Sequence, residues 1–218
     1  MADATLRALQ HNPQYELALS GGTPDTPDKG ADYFAEIAAA VTKAKSIPIS
    51  VELVPPDNDS YLDRLHEVGV TSVIMNIEIW DRQLRQLFCP GKSRVSVDRY
   101  LQAIQHAVKV FGAGQVASVF VAGLQATHVL LEGARAVIDA GAIPTIIPFK
   151  PLDQCAMAAF PKANADDVVQ INYEISETLV RRGLNPTLQR GCTGCGGCSL
   201  ETIAFRHQLR AGYESHRN

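Results

Sequence analysis

The sequence predicts an α/β fold whose strands run parallel. Short apolar runs of strand length recur along its 218 residues, and segments with apolar side chains at helical spacing lie between them. Parallel neighbours need a crossover connection that covers the sheet face, and this alternation supplies one at each step. The runs are nearly continuous in apolar residues, which suits either a doubly wound sheet or part of a (β/α) barrel. The chain is short for a full eight-stranded barrel of roughly 250 residues.

The first predicted strand spans 15–19 and runs into a glycine pair. Gly21 and Gly22 allow close backbone approaches that a Cβ would forbid, so we expect a ligand against this turn. An ordinary strand-to-helix turn explains the same dipeptide. An amphipathic piece within 1–14 is expected to be a helix end or a linker, and helical spacing of apolar side chains over 33–41 predicts the next helix.

The same unit recurs four more times along the chain. Further strands are predicted at 47–54, 72–79, 116–122 and 143–149. Helices are predicted at 62–68, at 97–111, after Gly123 through Val129 to Gly141, and at 166–182, with a polar loop at 80–96. The sequence therefore predicts five parallel βα units.

Composition is that of one soluble globular domain, with 46% hydrophobic and 20% charged residues. The net charge is −3 and the pI is about 6.1, without a basic run, so nucleic acid and anionic membranes are excluded as primary partners. The first twenty residues do not have the pattern of a signal peptide, and no apolar run reaches the ~18 residues of a membrane span. We expect a cytoplasmic protein.

Polar or glycine residues follow the ends of all five predicted strands. The carboxyl ends of parallel strands meet at one edge, where ligands bind in such folds, so these residues are expected to face a common mouth. Each of them taken singly is also explained as a capping or solvated loop residue. They are Gly21 and Gly22, Glu52, Asn76 and Glu78, Gly123 and Gln125, and Lys150.

Six segments resemble the radical S-adenosylmethionine (SAM) superfamily, especially its biotin-synthase-like members with a partial (β/α)6 barrel. The first, Ser-Gly-Gly-Thr-Pro at 20–24, is similar to the glycine motif that ends the second strand of those proteins. The resemblance covers most of the chain and implies a TIM-barrel-like partial (β/α) barrel. The other segments are Met-Asn-Ile-Glu-Ile at 75–79, Cys-Pro-Gly-Lys at 89–92, Phe-Gly at 111–112, Val-Phe-Val-Ala-Gly-Leu-Gln at 119–125 and Ile-Pro-Phe-Lys-Pro at 147–151.

This resemblance implies SAM as a cofactor. In the family, the motif matched by Gly21, Gly22 and Thr23 binds the amino group of the methionine moiety through backbone carbonyls. The family cleaves SAM reductively and abstracts hydrogen from a small substrate. No motif in the sequence indicates which small molecule that substrate is.

Three further residues take cofactor roles from the resemblance. Glu78 would approach the ribose or the amino-acid part of SAM, whereas Gly123 and Leu124 lie in the segment that packs against adenine. An ion pair with Arg82 or Lys92 is an equally good interpretation of Glu78.

A cysteine triplet near the C-terminus is the strongest chemical signal in the residues themselves. Cys192, Cys195 and Cys198 are spaced Cys-x2-Cys-x2-Cys, which is typical of three consecutive ligands of an iron–sulfur cluster. Zinc is the alternative metal, and a Gly-Cys loop that binds no metal is the alternative structure. The resemblance implies an auxiliary 4Fe-4S cluster here. Cys155 or Cys89 could supply a fourth ligand, although free cysteines are more often small buried hydrophobes, or one iron could stay open for substrate.

The sequence departs from the family in one respect, because it has no Cys-x3-Cys-x2-Cys motif for the cluster that reduces SAM. By the resemblance, residues 1–185 form a partial barrel starting at its second βα unit, and residues 186–218 form a cluster-binding tail. We expect a companion segment or subunit at the N-terminal side and a reductant such as ferredoxin or flavodoxin. A non-catalytic iron–sulfur subunit and a TIM-barrel-like enzyme with structural zinc are the alternatives.

Overall fold

The structure is a computed structural model, and it describes residues 2–12, 16–189, 194 and 197–215. Five strands alternate with helices over this part of the chain. The strands are β1 (Leu17–Leu19), β2 (Ile49–Glu52), β3 (Ser72–Ile74), β4 (Val116–Ala122) and β5 (Ile143–Pro148). The helices are α1 (Ala2–His11), α2 (Ala31–Ala44), α3 (Ser60–Glu67), α4 (Arg82–Phe88), α5 (Val97–Phe111), α6 (Thr127–Asp139), α7 (Ala165–Arg182) and α8 (Glu201–Ser215).

The five strands form one parallel sheet in the order β1-β2-β3-β4-β5. Each new strand is added on the same side of the previous one, so right-handed crossovers place their helices on one face of the sheet. A doubly wound sheet instead reverses its strand order at a switch point. The sequential order therefore confirms the predicted partial-barrel architecture.

The core lies between the sheet and the helices that cover it. Ile49 and Val51 of β2 are fully buried, as are Leu62 and Leu65 of α3, which recur three residues apart on the buried face of that helix. The three inner strands β2, β3 and β4 are buried along almost their whole length, with seven-residue β4 exposing only part of Val121. Burial on both faces explains why the strand sequences show little alternation between apolar and polar residues.

Two sequence predictions need correction in the region after β3. The predicted polar loop contains α4 (Arg82–Phe88), which begins because the Asp81 carboxylate caps the backbone N–H groups of Gln83 and Leu84, both at 2.9 Å. A 3-10 turn at Lys92–Arg94 follows. The predicted strand 72–79 ends at Ile74, because the chain then bends and pairs with β4 again only at Glu78.

The C-terminal tail also contains a helix that the sequence analysis did not predict. Helix α8 packs against α7, and its residues Ala204 and Phe205 are buried, Phe205 within the main core. The division at residue 185 into barrel and tail stays a prediction. In the described part of the chain, no helix is both long and apolar enough to span a membrane.

Candidate functional site

A row of polar side chains joins the carboxyl ends of the first three strands. Leu19 pairs with Val51, so the next residues along, Ser20 and Glu52, lie side by side. The Ser20 hydroxyl donates to Glu52 Oε2 at 3.2 Å, and Asn76 Nδ2 donates to Glu52 Oε1 at 2.6 Å. The predicted meeting of Glu52 and Asn76 at one edge is therefore present in the structure.

Asn76 extends this row to the fourth strand. Its Oδ1 accepts a hydrogen bond from the backbone N–H of Val119 at 3.0 Å, and the side chain is 7% exposed. Both ends of the amide are thus satisfied, which fixes its orientation. The Glu52 carboxylate is held by two donors from neighbouring loops and is presented at the mouth of the sheet.

Glu78 lies at the centre of a tight backbone bend. Its φ is +67°, and the Ile79 N–H donates to the Ile77 carbonyl at 2.9 Å across it, closing a γ-turn. Backbone bonds from Glu78 to Val119 and from Val121 to Glu78 anchor the turn to β4 at 2.9 and 2.8 Å. A non-glycine residue at positive φ stores strain, and such strain persists where the surroundings impose it.

The Glu78 carboxylate forms an ion pair with Lys92. Arg82, the other partner considered from the sequence, lies 3.4 Å from Asp98 instead. Both members of the Glu78–Lys92 pair are partly shielded, with side chains 19% and 33% exposed. This pair holds the loop after α4 over the carboxyl edge of the sheet, close to the row formed by Ser20, Glu52 and Asn76.

Buried Arg85 holds that loop in place. Its guanidinium donates to the carbonyls of Ile77 at 3.1 Å, Val95 at 2.9 Å and Lys92 at 2.9 Å. The side chain is 2% exposed and lies over the Tyr100 ring, 4.9 Å from its centroid. One cation therefore ties the bend at Glu78 to the segment that carries Lys92.

Burial changes the titration of two neighbours of this cation. Desolvation raises the pKa of Tyr100 to about 12, and the charge of Arg85 opposes part of that rise. Burial is also the main reason why the pKa of the Cys89 thiol is raised, with the Glu78 carboxylate adding to the effect. Cys89 is thus a protonated thiol at neutral pH, which lowers its nucleophilicity.

Two adjoining spaces lie at the carboxyl ends of β1 to β3. A recess of about 40 Å³ is lined by Gly21, Thr23, Glu52, Asn76 and Lys92, among others. It shares Thr23, Val54 and Lys92 with an adjoining cavity of about 440 Å³, which also contacts Lys29 and Asp57. A volume of this size lies within the range of roughly 300–1,000 Å³ that is usual for small-molecule sites.

The predicted glycines differ in their surroundings. A Cβ at Gly22 would meet no atom within 4 Å, and one at Gly21 would meet only the Phe34 ring, at 3.7 Å. A Cβ at Gly123 would lie 2.9 Å from Ala163, and the φ of Gly123 is +96°. Gly21 and Gly22 therefore leave open space at the mouth, whereas Gly123 permits close packing of the backbone.

The loop after β4 faces a separate recess. Gly123 lines a space of about 40 Å³ together with Gln125 and Ala163, and Leu124 is half-buried nearby. Gln125 Oε1 accepts hydrogen bonds from the backbone N–H groups of Trp80 and Asp81 at 3.0 and 3.1 Å. The structure thus brings Gly21, Thr23 and, through Lys92, Glu78 together, and it places Gly123 in a different space. The assignment of Gly123 and Leu124 to adenine stays a prediction.

Of the predicted cluster ligands, Cys192 and Cys195 lie outside the described residues. Cys198 is exposed and has a free thiol, as does Cys155. Within the described ranges, no group of three His, Cys, Asp or Glu side chains is arranged to hold a metal ion. The cluster assignment therefore stays a prediction from spacing.

Sequence reasoning did not identify Arg85, Lys29 or Arg94. Arg85 lies in a segment interpreted as a polar loop, where an arginine is expected to be solvated. Lys29 has a φ of +51°, its side chain is 14% exposed, and its ammonium lies 3.5 Å from Asp57. Of these three residues, only Lys29 was indicated by the sequence, because it precedes Gly30 in a stretch rich in turn residues.

These features define a parallel α/β protein of the partial-barrel type, with a polar cleft at the carboxyl edge of its first three strands. The sequence profile described as the radical SAM superfamily matches residues 2–126, which is more than half of the chain. The chain belongs to the radical SAM superfamily. A comparison with curated proteins found no match.

Two solved structures similar to this chain are of HydG, described as a maturase of the [FeFe]-hydrogenase. The first is 18% identical with a TM-score of 0.62, over 92% of this chain and 51% of HydG. The second, HydG from Carboxydothermus hydrogenoformans, is 16% identical with a TM-score of 0.57, over 83% of this chain and 42% of that protein. The chain thus spans about half the length of these proteins or less, and the likeness concerns the fold.

Proposed function

We propose that this chain binds SAM in the cleft at the carboxyl ends of β1 to β3. The observation that supports the proposal best is the hydrogen-bonded row from Ser20 through Glu52 to Asn76, which lies beside the open backbone of Gly21. Membership of the radical SAM superfamily independently makes SAM the expected ligand. The residues fit this ligand, because the recess combines an exposed glycine backbone, carboxylate acceptors and an adjoining cavity of about 440 Å³.

Each polar group has a task in this proposal. The backbone carbonyls around Gly21, Gly22 and Thr23 accept hydrogen bonds from the ammonium of the methionine moiety. The carboxylate of Glu78, oriented by Lys92, accepts hydrogen bonds from hydroxyl or ammonium groups of the cofactor. Gly123 and Leu124 contribute the predicted contact with adenine.

Titration calorimetry of the chain with SAM tests this proposal. Gly22→Val is the informative variant, because open space around Gly22 lets the protein keep its fold while the side chain blocks a ligand. We expect affinity for SAM to fall at least about tenfold, as expected when a close backbone approach is obstructed.

Ala44→Val serves as the matched control for added volume. Ala44 is exposed at the last residue of α2, at the opposite edge of the sheet from the cleft. This variant is expected to bind SAM like the unsubstituted chain. Equal affinities of the Gly22→Val variant and the unsubstituted chain, or no heat of binding for either, would contradict the proposed cleft.

We also propose that Cys192, Cys195 and Cys198 bind an auxiliary 4Fe-4S cluster, with zinc as the alternative metal. The support is the Cys-x2-Cys-x2-Cys spacing with glycine and threonine between the thiols. Anaerobic reconstitution with iron and sulfide, followed by metal analysis and a visible spectrum, distinguishes the two metals. Cys195→Ser is expected to lose iron, and the iron content of Cys155→Ser shows whether this exposed cysteine supplies the fourth ligand.

The superfamily's radical chemistry begins with the reductive cleavage of SAM by a cluster held in a Cys-x3-Cys-x2-Cys motif. This sequence does not contain that motif, so the proposal assigns the cluster to a companion segment or subunit and the electron to a reductant such as ferredoxin or flavodoxin. The residues of this chain then bind SAM and orient it toward a small substrate. A mixture with a candidate companion chain should form 5′-deoxyadenosine only when both proteins are present.

A further inference from the structure

A second cavity lies on the outer side of the loop that carries Lys92. Its volume is about 510 Å³, and it opens between α4 and the start of α5. Arg94 lines both this space and the cavity beside the cleft, so the segment at 90–95 forms a wall between the two. We name the outer space the arginine cavity, after the residues Arg82, Arg85 and Arg94 in its wall.

The hydrogen-bonding groups of the arginine cavity are mainly donors. Three guanidinium groups line it, and no acidic residue is among the described residues of its wall. Two serines also line it, but the Ser93 hydroxyl already donates to the Pro90 carbonyl at 2.9 Å, and the Ser96 hydroxyl accepts from the Arg99 N–H at 3.1 Å. Guanidinium groups bind phosphate and carboxylate oxygens through paired N–H donors, with both charge and geometry in their favour. The composition of the wall therefore favours an anion.

The three arginines differ in how firmly they are held. Arg85 is 2% exposed and is fixed by three backbone carbonyls and by its position over the Tyr100 ring. Arg82 lies 3.4 Å from Asp98 in a highly exposed pair, which is weak in water. Arg94 is exposed at the end of a 3-10 turn, and among the described residues it has no carboxylate within ion-pair distance.

This set combines one rigid cation with two exposed cations, of which Arg82 is held only by its weak pair with Asp98. Bringing Arg82, Arg85 and Arg94 to one cavity costs electrostatic energy, because three like charges repel one another. An anion between them would relieve that repulsion. A phosphate group, with oxygens on several sides, matches three donors that come from two elements, Arg82 and Arg85 from α4 and Arg94 from the 3-10 turn.

We propose that the arginine cavity binds the phosphate group of a small molecule, at a site distinct from the SAM cleft. The ligand is identified by its dianionic group, which Arg82 and Arg94 clasp from α4 and from the 3-10 turn, with Arg85 as the buried base of the site. A cavity of about 510 Å³ has room for a phosphate ester beyond the phosphate itself.

Fluorine NMR with monofluorophosphate as the probe tests this site directly. The unsubstituted chain is expected to broaden the fluorine line, and inorganic phosphate is expected to reverse the broadening. Arg82→Gln and Arg94→Gln should each raise the dissociation constant about tenfold, the effect of losing one charge-assisted hydrogen bond. Both side chains are exposed, so the fold is expected to survive each change.

Two further variants sharpen the result. Asp98→Asn frees Arg82 from its carboxylate partner and is expected to tighten binding about threefold. Arg135→Gln removes an exposed arginine that pairs with Glu174 on another face, and it should leave binding unchanged. The absence of phosphate-reversible broadening, or equal binding by the Arg94→Gln and Arg135→Gln variants, would overturn the proposal. Displacement of the probe by SAM would also overturn it, because the two sites would then be the same.

Discussion

The two halves of the sheet mouth are built differently. On the side of β1 to β3, long loops carry a row of hydrogen-bonded polar groups, and open space adjoins the row. On the side of β4 and β5, Gly123 packs against Ala163. Gln125 Oε1 there accepts hydrogen bonds from two backbone N–H groups. The first side can accept a ligand without rearrangement, whereas the second is mostly closed by its own contacts.

This difference assigns separate roles to glycines that look alike in the sequence. Gly22 leaves room at the mouth, and Gly123 allows two backbone segments to approach closely. The same sheet edge thus combines an open part with a part that is closed by its own packing. Substitutions on the two sides are therefore expected to separate binding from stability.

The largest effect is expected from Arg85→Met. Arg85 donates to three backbone carbonyls that would lose their partners, so the free energy of unfolding should fall by about 3–4 kcal/mol. Urea unfolding followed by circular dichroism measures the change. Arg82→Met, an exposed neighbour on the same helix, is the control and should stay within about 0.5 kcal/mol of the unsubstituted protein. Similar unfolding midpoints for the two variants would show that Arg85 does not hold the loop.

A smaller loss of stability is expected from Gly123→Val. The new side chain meets Ala163 at a backbone φ of +96°, and the combined clash and strain should cost about 2–4 kcal/mol. Gly22→Val has no such contacts and should change the free energy of unfolding by less than about 0.5 kcal/mol. Thermal unfolding of both variants separates the packed side from the open side. If Gly22→Val were the more destabilising change, the comparison would be reversed.

The pH dependence of stability gives an effect of intermediate size. The pKa of Tyr100 is about 12 in the folded protein and 10.0 in its ordinary state, so above pH 10 the unfolded chain loses this proton first. The free energy of unfolding should therefore fall as pH rises, by about 1 kcal/mol near pH 10.5 from this group alone.

Tyr100→Phe isolates that contribution. The variant should lack this part of the alkaline loss, while its stability at pH 7 stays close to that of the unsubstituted protein. Urea midpoints at both pH values provide the comparison. Parallel losses in the two proteins would show that the phenol is not shielded by the Arg85 loop.

The smallest effect on stability is expected at the free edge of the sheet. Among the described residues, strand β1 pairs with β2 alone, and the Leu17 N–H points toward β2, so the N–H of Ala18 points away from it. Ala18→Pro should therefore cost little stability and reduce association through edge pairing, measured by light scattering. Leu19→Pro, whose N–H faces β2, is the control, because it loses a sheet hydrogen bond and is expected to cost more stability than Ala18→Pro. Equal association before and after Ala18→Pro would rule out the open edge as its cause.

The sequence was sufficient to predict the parts of the fold that depend on periodic burial. Apolar runs and amphipathic segments predicted all five strands, and the strand ends correctly indicated that Glu52 and Asn76 meet at one edge. The bend at Glu78 was not predictable, because Ile-Glu-Ile has the alternation of a continuing strand and its γ-turn is imposed by bonds to β4. Tertiary contacts decided the path of the chain there.

The roles of charged residues were the least predictable part of the site. Burial of Arg85 depends on carbonyls from three separate positions, and nothing in the local sequence indicates that they converge. The pairing of Glu78 with Lys92 was foreseen only as one of two alternatives. The cysteine spacing predicts a cluster from chemistry alone, and the positions of Cys192 and Cys195 lie outside the described residues.

Backbone NMR with added SAM tests the central claim most directly. If the open side of the mouth is the cofactor cleft, the largest shifts of amide signals will fall on Gly21 to Thr23, on Asn76 and on Lys92, and signals at the opposite sheet edge, such as Ala44, will stay in place. Saturable shifts confined to residues around Gly123 and Ala163, or no shifts at all, would contradict the account.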